Sequence, residues 1–324
     1  MGWNKWLMQR RALEEHLIRA RPYDLIDVPP VSVSPAVAQV GGIVVARSVQ
    51  PDLLYLESER RASAAGGRRA LPWRLLSGLL AAPLTRAIKE GWHLADVVLC
   101  LGSLELAWMK GRFPSLRERL AAYVVAPPTA ERQALAAVAA ARSGFRSGLV
   151  RWLWLGRWAA HKGVGALKEL IGRRLAVTDD RFTIAGCGEV PVRELDPEWT
   201  GSGRVRVVPS FDRSELTRLL ADHDAGLFTS GVEGWGLSVQ EMLESGLPVY
   251  ASPAGCVGDL APFVESGLEP FPPPLKDCSP ARVALEPGYW GQFEWDRIAM
   301  SYEEMMVSKG ARRPLLSSAR GAGT

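Results

Sequence analysis

The strongest constraint on the fold lies between residues 149 and 252, where short apolar runs alternate with helical stretches. "LVRWLWLG", "RFTIAGCG", "VRVVPSF", "DAGLFTS" and "LPVYAS" read as strands. "VGALKELIGRRL", "RSELTRLLADH" and "LSVQEMLESG" read as helices, the last ended by Gly246 with Pro248 just beyond. This βαβ rhythm predicts an open parallel sheet with helices on both faces, where ligands sit outside the carboxyl ends of the strands.

The first half has the same vocabulary in looser form. Residues 3–20 read as an amphipathic helix, and "YDLIDV", "GGIVVARSV" (41–49), "ADVVLCLG" and "AAYVVAPP" as strands. "LPWRLLSGLLAAPLTRAIKEGWHL", kinked at Pro83, "LELAWMKGRF" and "AERQALAAVAAAR" read as helices. "RRASAAGGRR" (60–69) reads as a polar loop, "SGFRSG" as a linker and "EPFPPPLKDCSP" (269–280) as a proline-rich loop. "QFEWDRIAMSYEEMMVSK" reads as a closing amphipathic helix and "GARRPLLSSARGAGT" as a disordered tail. A chain of 324 residues is long for one core. Two α/β domains are expected, 1–146 and 147–292, then the closing helix 293–308 and the tail 309–324.

The four cysteines are scattered without a CxxC pair, which argues against a zinc site and a disulfide framework and for a reducing, cytoplasmic setting. No apolar run approaches the roughly 20 residues that span a bilayer, and the charged start is not a secretory signal. Net charge is +4, with arginine concentrated in the first third. Two readings stay open: a solvated surface, or attraction to the inner membrane face or a phosphorylated acceptor. Nucleic acid is disfavoured, because no aromatics interleave with the arginines.

The chemistry concentrates in "TSGVEGWGLSVQEMLESGLPVYAS" (229–252). Gly231 to Gly236 form a loop at the carboxyl edge of a strand, and a helix opens near Leu237. The first N–H groups of that helix lack intrahelical partners and, with the helix dipole, suit an anion. Gly234 and Gly236 let the backbone approach a phosphate. Trp235 stands between them, inside the turn. Glu233 beside such a site would repel a bare phosphate, unless the ligand also presents hydroxyls to it. Glu241, a turn into the helix, can reach a second set of hydroxyls. A nucleotide diphosphate-sugar has that layout of sugar, diphosphate and ribose. "LWLGRWAAHKGVGALKEL" (153–170) supplies cations, since Arg157 and Lys162 flank a short loop before a helix. A positioned Arg and Lys stabilise a leaving diphosphate without a metal.

Together these segments resemble the family 4 retaining glycosyltransferases, which have the GT-B fold of two Rossmann-like domains facing a cleft. "GRWAAHKG", "FTIAGCGE", "VRVVPSFDRSELTRLLADHDAGLFTS", "EGWGLSVQE" and "SGLPVYASPAGCVGDL" carry the resemblance over about residues 150–262, and "FEWDRIAMSYEEM" looks like the closing helix. The resemblance implies that Arg157 and Lys162 bind the donor diphosphate and that Glu233 holds hydroxyls of the transferred sugar. It implies that Leu237 and its neighbours donate backbone N–H groups to phosphate, that Glu241 holds the ribose, and that the backbone near Phe211 faces the base. No cofactor or metal is expected. The acceptor (a glycan, a lipid-linked sugar or a small molecule) would approach from the first domain, which matches more weakly. Relatives open with a strand and a Gly-Gly loop, so about two strand–helix units are expected to be missing from this chain. Relatives also often read "RSHG" where this chain has "RSVQ", with Val49 in place of the histidine.

"DHD" (222–224) resembles a metal-binding Asp-x-Asp, but Asp222 closes a helix and Asp224 opens a strand. His161 reads as a loop residue and Cys187 as a small apolar filler. The expected activity is transfer of a sugar from a nucleotide diphosphate-sugar to an acceptor hydroxyl, with retention of configuration. The rival is a non-catalytic nucleotide-sugar-binding remnant, or a subunit completed by a partner chain. A nicotinamide oxidoreductase is disfavoured, because no GxGxxG opens a helix after the first strand.

Overall fold

The computed structural model describes residues 5–20, 22–65, 71–143, 148–276 and 278–309. The first domain comprises α1 (Lys5–Ala20), β1 (Leu25–Val28), α2 (Pro35–Ala38), β2 (Ile43–Arg47), α3 (Asp52–Ala65), α4 (Leu71–Leu94), β3 (Val97–Leu101), α5 (Gly102–Arg112) and β4 (Leu120–Tyr123). Its four strands are all parallel, in the order β1-β2-β3-β4. Side chains alternate across a strand, so each strand feeds two cores. Ile26, Val44, Ala46, Val98 and Cys100 pack with Leu17, Ile88, Trp92 and Met109 of α1, α4 and α5. Val45, Val97 and Leu99 face the other way.

The chain continues through α6 (Thr129–Ala141), β5 (Arg151–Leu155), α7 (Val164–Leu175), β6 (Arg181–Ala185), α8 (Pro191–Glu194), α9 (Pro197–Gly201), β7 (Val205–Val208), α10 (Leu216–Ala221), β8 (Ala225–Phe228) and α11 (Leu237–Glu244). It ends with β9 (Val249–Ala251), α12 (Val257–Leu260), β10 (Val264–Ser266), β11 (Leu268–Pro270), β12 (Ala284–Leu285), α13 (Tyr289–Gln292) and α14 (Trp295–Ser308). The main sheet of this second domain is parallel, in the order β11-β9-β8-β5-β6-β7. β5 is buried on both faces: Trp152 and Trp154 pack beneath α7, while Leu153 and Leu155 face α10 and α11. From β5 the chain steps outward through β6 and β7, then returns to the other side of β5 for β8 and β9. The loops after β5 and β8 therefore leave the sheet at its switch point, the place where open α/β sheets bind ligands.

Two helices sit with the domain that sequence order would not suggest. α6 follows the first sheet, yet its Leu135 shares a core with Leu220 and Leu243 of α10 and α11. α14 follows the second sheet, yet Met306 seals the first against Val45, Val97 and Leu99. Tyr302 of α14 donates to Asp27 Oδ2 at 2.6 Å, and Asp27 also pairs with Arg47. The Arg47 guanidinium lies 4.8 Å and 4.9 Å from the ring centres of Tyr123 and Tyr302.

Two expectations are corrected. Residues 60–65 are not loop but the last turns of α3, because no glycine or proline interrupts the Arg- and Ala-rich run before Gly66. Residues 66–69 of that expected loop lie outside the described residues. Glu269 and Pro270 are not loop either: β11 adds to the sheet edge beside β9, where proline is tolerated. Most of the expected linker and residues 310–324 of the expected tail also lie outside the described residues. Among the described residues no helix is long and apolar enough to cross a membrane.

Candidate active site

The β5–α7 and β8–α11 loops are tied to each other at the switch point. Thr229 Oγ1 donates to the Lys162 carbonyl at 2.7 Å and accepts from Trp154 Nε1 at 3.0 Å. The Gly231 N–H donates to the His161 carbonyl at 2.8 Å. Gly163 makes this contact possible: its φ is +70°, and a Cβ there would lie 1.8 Å from the Thr229 carbonyl oxygen.

This docking brings Lys162 to Glu233. The ammonium ion-pairs with Glu233 Oε2, which also accepts from Ser230 Oγ at 3.2 Å. Glu233 Oε1 accepts from the Gly234 N–H at 3.3 Å and from Tyr55 of the first domain at 3.4 Å. Arg157, at the head of the same loop, is exposed. α11 opens at Leu237 from Gly236, whose φ is +86°, and no side chain caps it. Leu237, the first residue of the helix, is itself exposed, while Val239 and Gln240 of the same turn are buried.

Glu241 is 4% exposed and accepts from Arg213 Nη2 at 2.7 Å. Arg213 also pairs with Glu131 of α6. Burial pushes the Glu241 carboxyl up, and Arg213 pulls it back down. Phe211 lies half-buried over Gly186, where an added Cβ would come 3.2 Å from its ring.

Two residues of the turn also make contacts that their sequence does not suggest. Trp235 is only 3% exposed; its Nε1 donates to Gln240 Oε1 at 3.0 Å and its ring packs on Phe293. Its side chain anchors the turn in the core and leaves only its backbone for a ligand. Gly234 is buried against the first domain, where an added Cβ would lie 3.2 Å from Leu101 and 3.6 Å from the Val49 carbonyl. Its missing side chain admits the neighbouring domain.

Sequence reasoning missed the first domain's share of the site. Beyond Tyr55, the Ser103 N–H at the start of α5 donates to both Asp259 oxygens at 3.1 Å, across the domain boundary. Glu105 of α5 is buried and accepts from Ser48 Oγ at 2.7 Å and the Leu101 N–H at 2.6 Å. Burial pushes its carboxyl up to about 7, against the pull of those two hydrogen bonds. The "DHD" run is structural: Asp224 pairs with Arg151 at 2.7 Å, and His223 is buried between Thr183 Oγ1 and the Leu219 carbonyl. Cys187 is likewise buried.

Residues 150–269 match the model of the family described as "Glycosyl transferases group 1". That stretch, which holds most of the second domain, is similar to this family, and the whole chain has the GT-B fold. Over 128 residues it is 30% identical to sulfoquinovosyl transferase SQD2 of Arabidopsis thaliana, covering 38% of this chain and 24% of that protein. The chain thus spans about a quarter of that relative. Among solved structures it is similar to a sucrose-phosphate synthase from Thermosynechococcus elongatus (TM-score 0.62, 16% identity, 94% of this chain and 78% of that one). It is also similar to the lipopolysaccharide outer core galactosyltransferase WaaB (TM-score 0.59, 15% identity, 94% and 80%).

Proposed function

We propose that this chain is a retaining glycosyltransferase that moves a sugar from a nucleotide diphosphate-sugar to an acceptor hydroxyl. The observation that carries the reading is the docking of the Lys162 loop beside Glu233 at the mouth of α11. That corner combines cations, an uncapped helix start and a hydrogen-bonding carboxylate, the three groups that a sugar diphosphate needs.

The diphosphate would lie over the first turn of α11, against Lys162 and Arg157. As the sugar–phosphate bond breaks, negative charge builds on the leaving oxygen, and these cations with the helix N–H groups stabilise it without a metal. Glu233 would orient the sugar through its hydroxyls, and Glu241, released by Arg213, would hold the ribose. Retention is read as front-face attack, with the leaving phosphate taking the acceptor proton. Sulfoquinovosyl transferase and the galactosyltransferase WaaB both carry sugar transfer in their names, which supports the class but not a particular sugar.

Thermal shift against UDP-, GDP- and ADP-sugars tests the reading. Binding at 100 times the dissociation constant adds about 2.7 kcal/mol and raises the midpoint by several degrees. Transfer assays with Glu233→Gln and Lys162→Met then test the roles, and the Lys162 variant should be slower on the order of 10²-fold. Undiminished transfer in both variants would overturn the assignment. A second reading has its own observation. Val49 is 63% exposed on the first domain, its carbonyl against Gly234, with no polar side chain to offer. A shift with one nucleotide class and no transfer to any acceptor would favour a nucleotide-sugar-binding subunit.

A further inference from the structure

We infer that the Tyr55 hydroxyl is a placeholder for a donor-sugar hydroxyl: it occupies Glu233 in the ligand-free protein and is exchanged when the nucleotide-sugar arrives. The inference rests on the functional reading above and goes further, because it assigns a first-domain residue to the donor site.

Glu233 has no room to spare. Its two oxygens already receive four donors: Lys162 and Ser230 on Oε2, the Gly234 N–H and Tyr55 on Oε1. A carboxylate has about four lone-pair sites. A sugar hydroxyl that donates to Glu233 must therefore replace a donor already there. Three of the four belong to the loops that build the site. Tyr55 alone comes from the other domain, 178 positions away, and its contact is the longest at 3.4 Å.

The Tyr55 ring is held independently of its hydroxyl. It packs edge-on against His161, with ring centres 4.7 Å apart. The phenol therefore has a seat to remain in when its O–H loses Glu233. Burial, together with the Glu233 carboxylate, keeps the phenol protonated, so it can only donate to that carboxylate. A sugar hydroxyl offers Glu233 the same kind of bond. The exchange conserves hydrogen bonds at Glu233 and releases one of the ties between the domains.

The test is Tyr55→Phe, which keeps the ring and deletes the placeholder. Affinities are measured by calorimetry for UDP, ADP and GDP alone and for UDP-glucose, UDP-galactose, ADP-glucose and GDP-mannose, alongside the melting temperature. For the sugar nucleotide that wild type binds, the variant should bind roughly tenfold tighter, the worth of one long hydrogen bond to a charged group. Affinity for the matching bare diphosphate should not change, because it presents no sugar to Glu233. Weaker sugar-nucleotide binding would show that the hydroxyl stays and contacts the sugar, and would overturn the inference. Equal changes with and without the sugar, or none, would overturn it too. Tyr55→Leu separates the ring from the hydroxyl: a gain there as large as in Tyr55→Phe locates the effect in the O–H. A wild type that binds neither bare diphosphates nor sugar nucleotides would instead overturn the functional reading itself.

Discussion

Lys162 and Glu233 are 71 positions apart in the chain and share one ion pair, with side chains only 15% and 11% exposed. At that depth, removing one partner strands the other. The single variants Lys162→Met and Glu233→Gln should each lower the denaturation midpoint, and the double variant should recover part of the loss. Strictly additive losses in chemical denaturation would mean the pair contributes nothing beyond its separate members. Glu105 gives a prediction in pH. Its folded value of about 7 lies above the ordinary carboxyl value of 4.5, so the folded protein holds that proton more tightly than the unfolded chain. Its contribution is complete below about pH 4.5 and is lost as pH rises through 7. Melting temperatures of wild type and Glu105→Gln, compared across that range, should show wild type losing ground as pH rises. A constant difference would mean Glu105 does not titrate there.

At the scale of elements, most of the second domain was legible in the sequence. α7 runs from Val164 to Leu175, the span that "VGALKELIGRRL" marks, and α11 opens at Leu237 as expected. These are local signals of spacing, capping and glycine placement, and they survive folding because the sheet is built from consecutive units. Glu233 and Lys162 were legible for the same reason: each sits at a fixed offset from a strand end. Tyr55, Asp259 and Arg213 were not, because each acquires its role from a partner on another element. The allegiance of α6 was also hidden. It follows the first sheet but is bound to the second by Arg132, whose Nε–H is shared between the two carboxylate oxygens of Glu244 of α11 at 3.0 and 3.1 Å and whose Nη1 donates to the Phe293 carbonyl at 2.7 Å. Gln240 and Tyr289 complete the shell of Glu244. Arg132→Met leaves that carboxylate buried and poorly compensated, and should cost about 3–5 kcal/mol. Arg132→Met with Glu244→Gln should cost less than the single change, as read from urea midpoints. A loss under 1 kcal/mol for Arg132→Met alone would mean α6 is held by its apolar face.

For the whole molecule, α14 matters more than its position near the end of the chain suggests. Met306 is 2% exposed and lies on the first sheet, so the face formed by Val45, Val97 and Leu99 is closed by a helix that follows the second sheet. Neither domain is finished by its own contiguous stretch of chain. Unfolding in guanidinium should therefore be one transition, with tryptophan fluorescence and far-ultraviolet circular dichroism coincident. Two separated midpoints would show that the exchanged helices do not couple the domains. Met306→Ala should move the whole transition, at a cost of about 2–5 kcal/mol.

The two crossings between the domains, residues 124–128 leading to α6 and residues 293–294 leading to α14, run next to each other: Trp295 Nε1 donates to the Pro127 carbonyl at 3.1 Å. Two bodies joined at two adjacent points behave like the covers of a book. Joined in this way, they resist sliding and spinning more than a swing about the spine. The contacts far along the covers, Tyr55 on Glu233 and Ser103 on Asp259, then act as clasps, and letting go of one makes the next easier to undo. Loosening Glu233 from Tyr55 would undo one of these clasps, and the opening of the page is the movement that the two crossings oppose least.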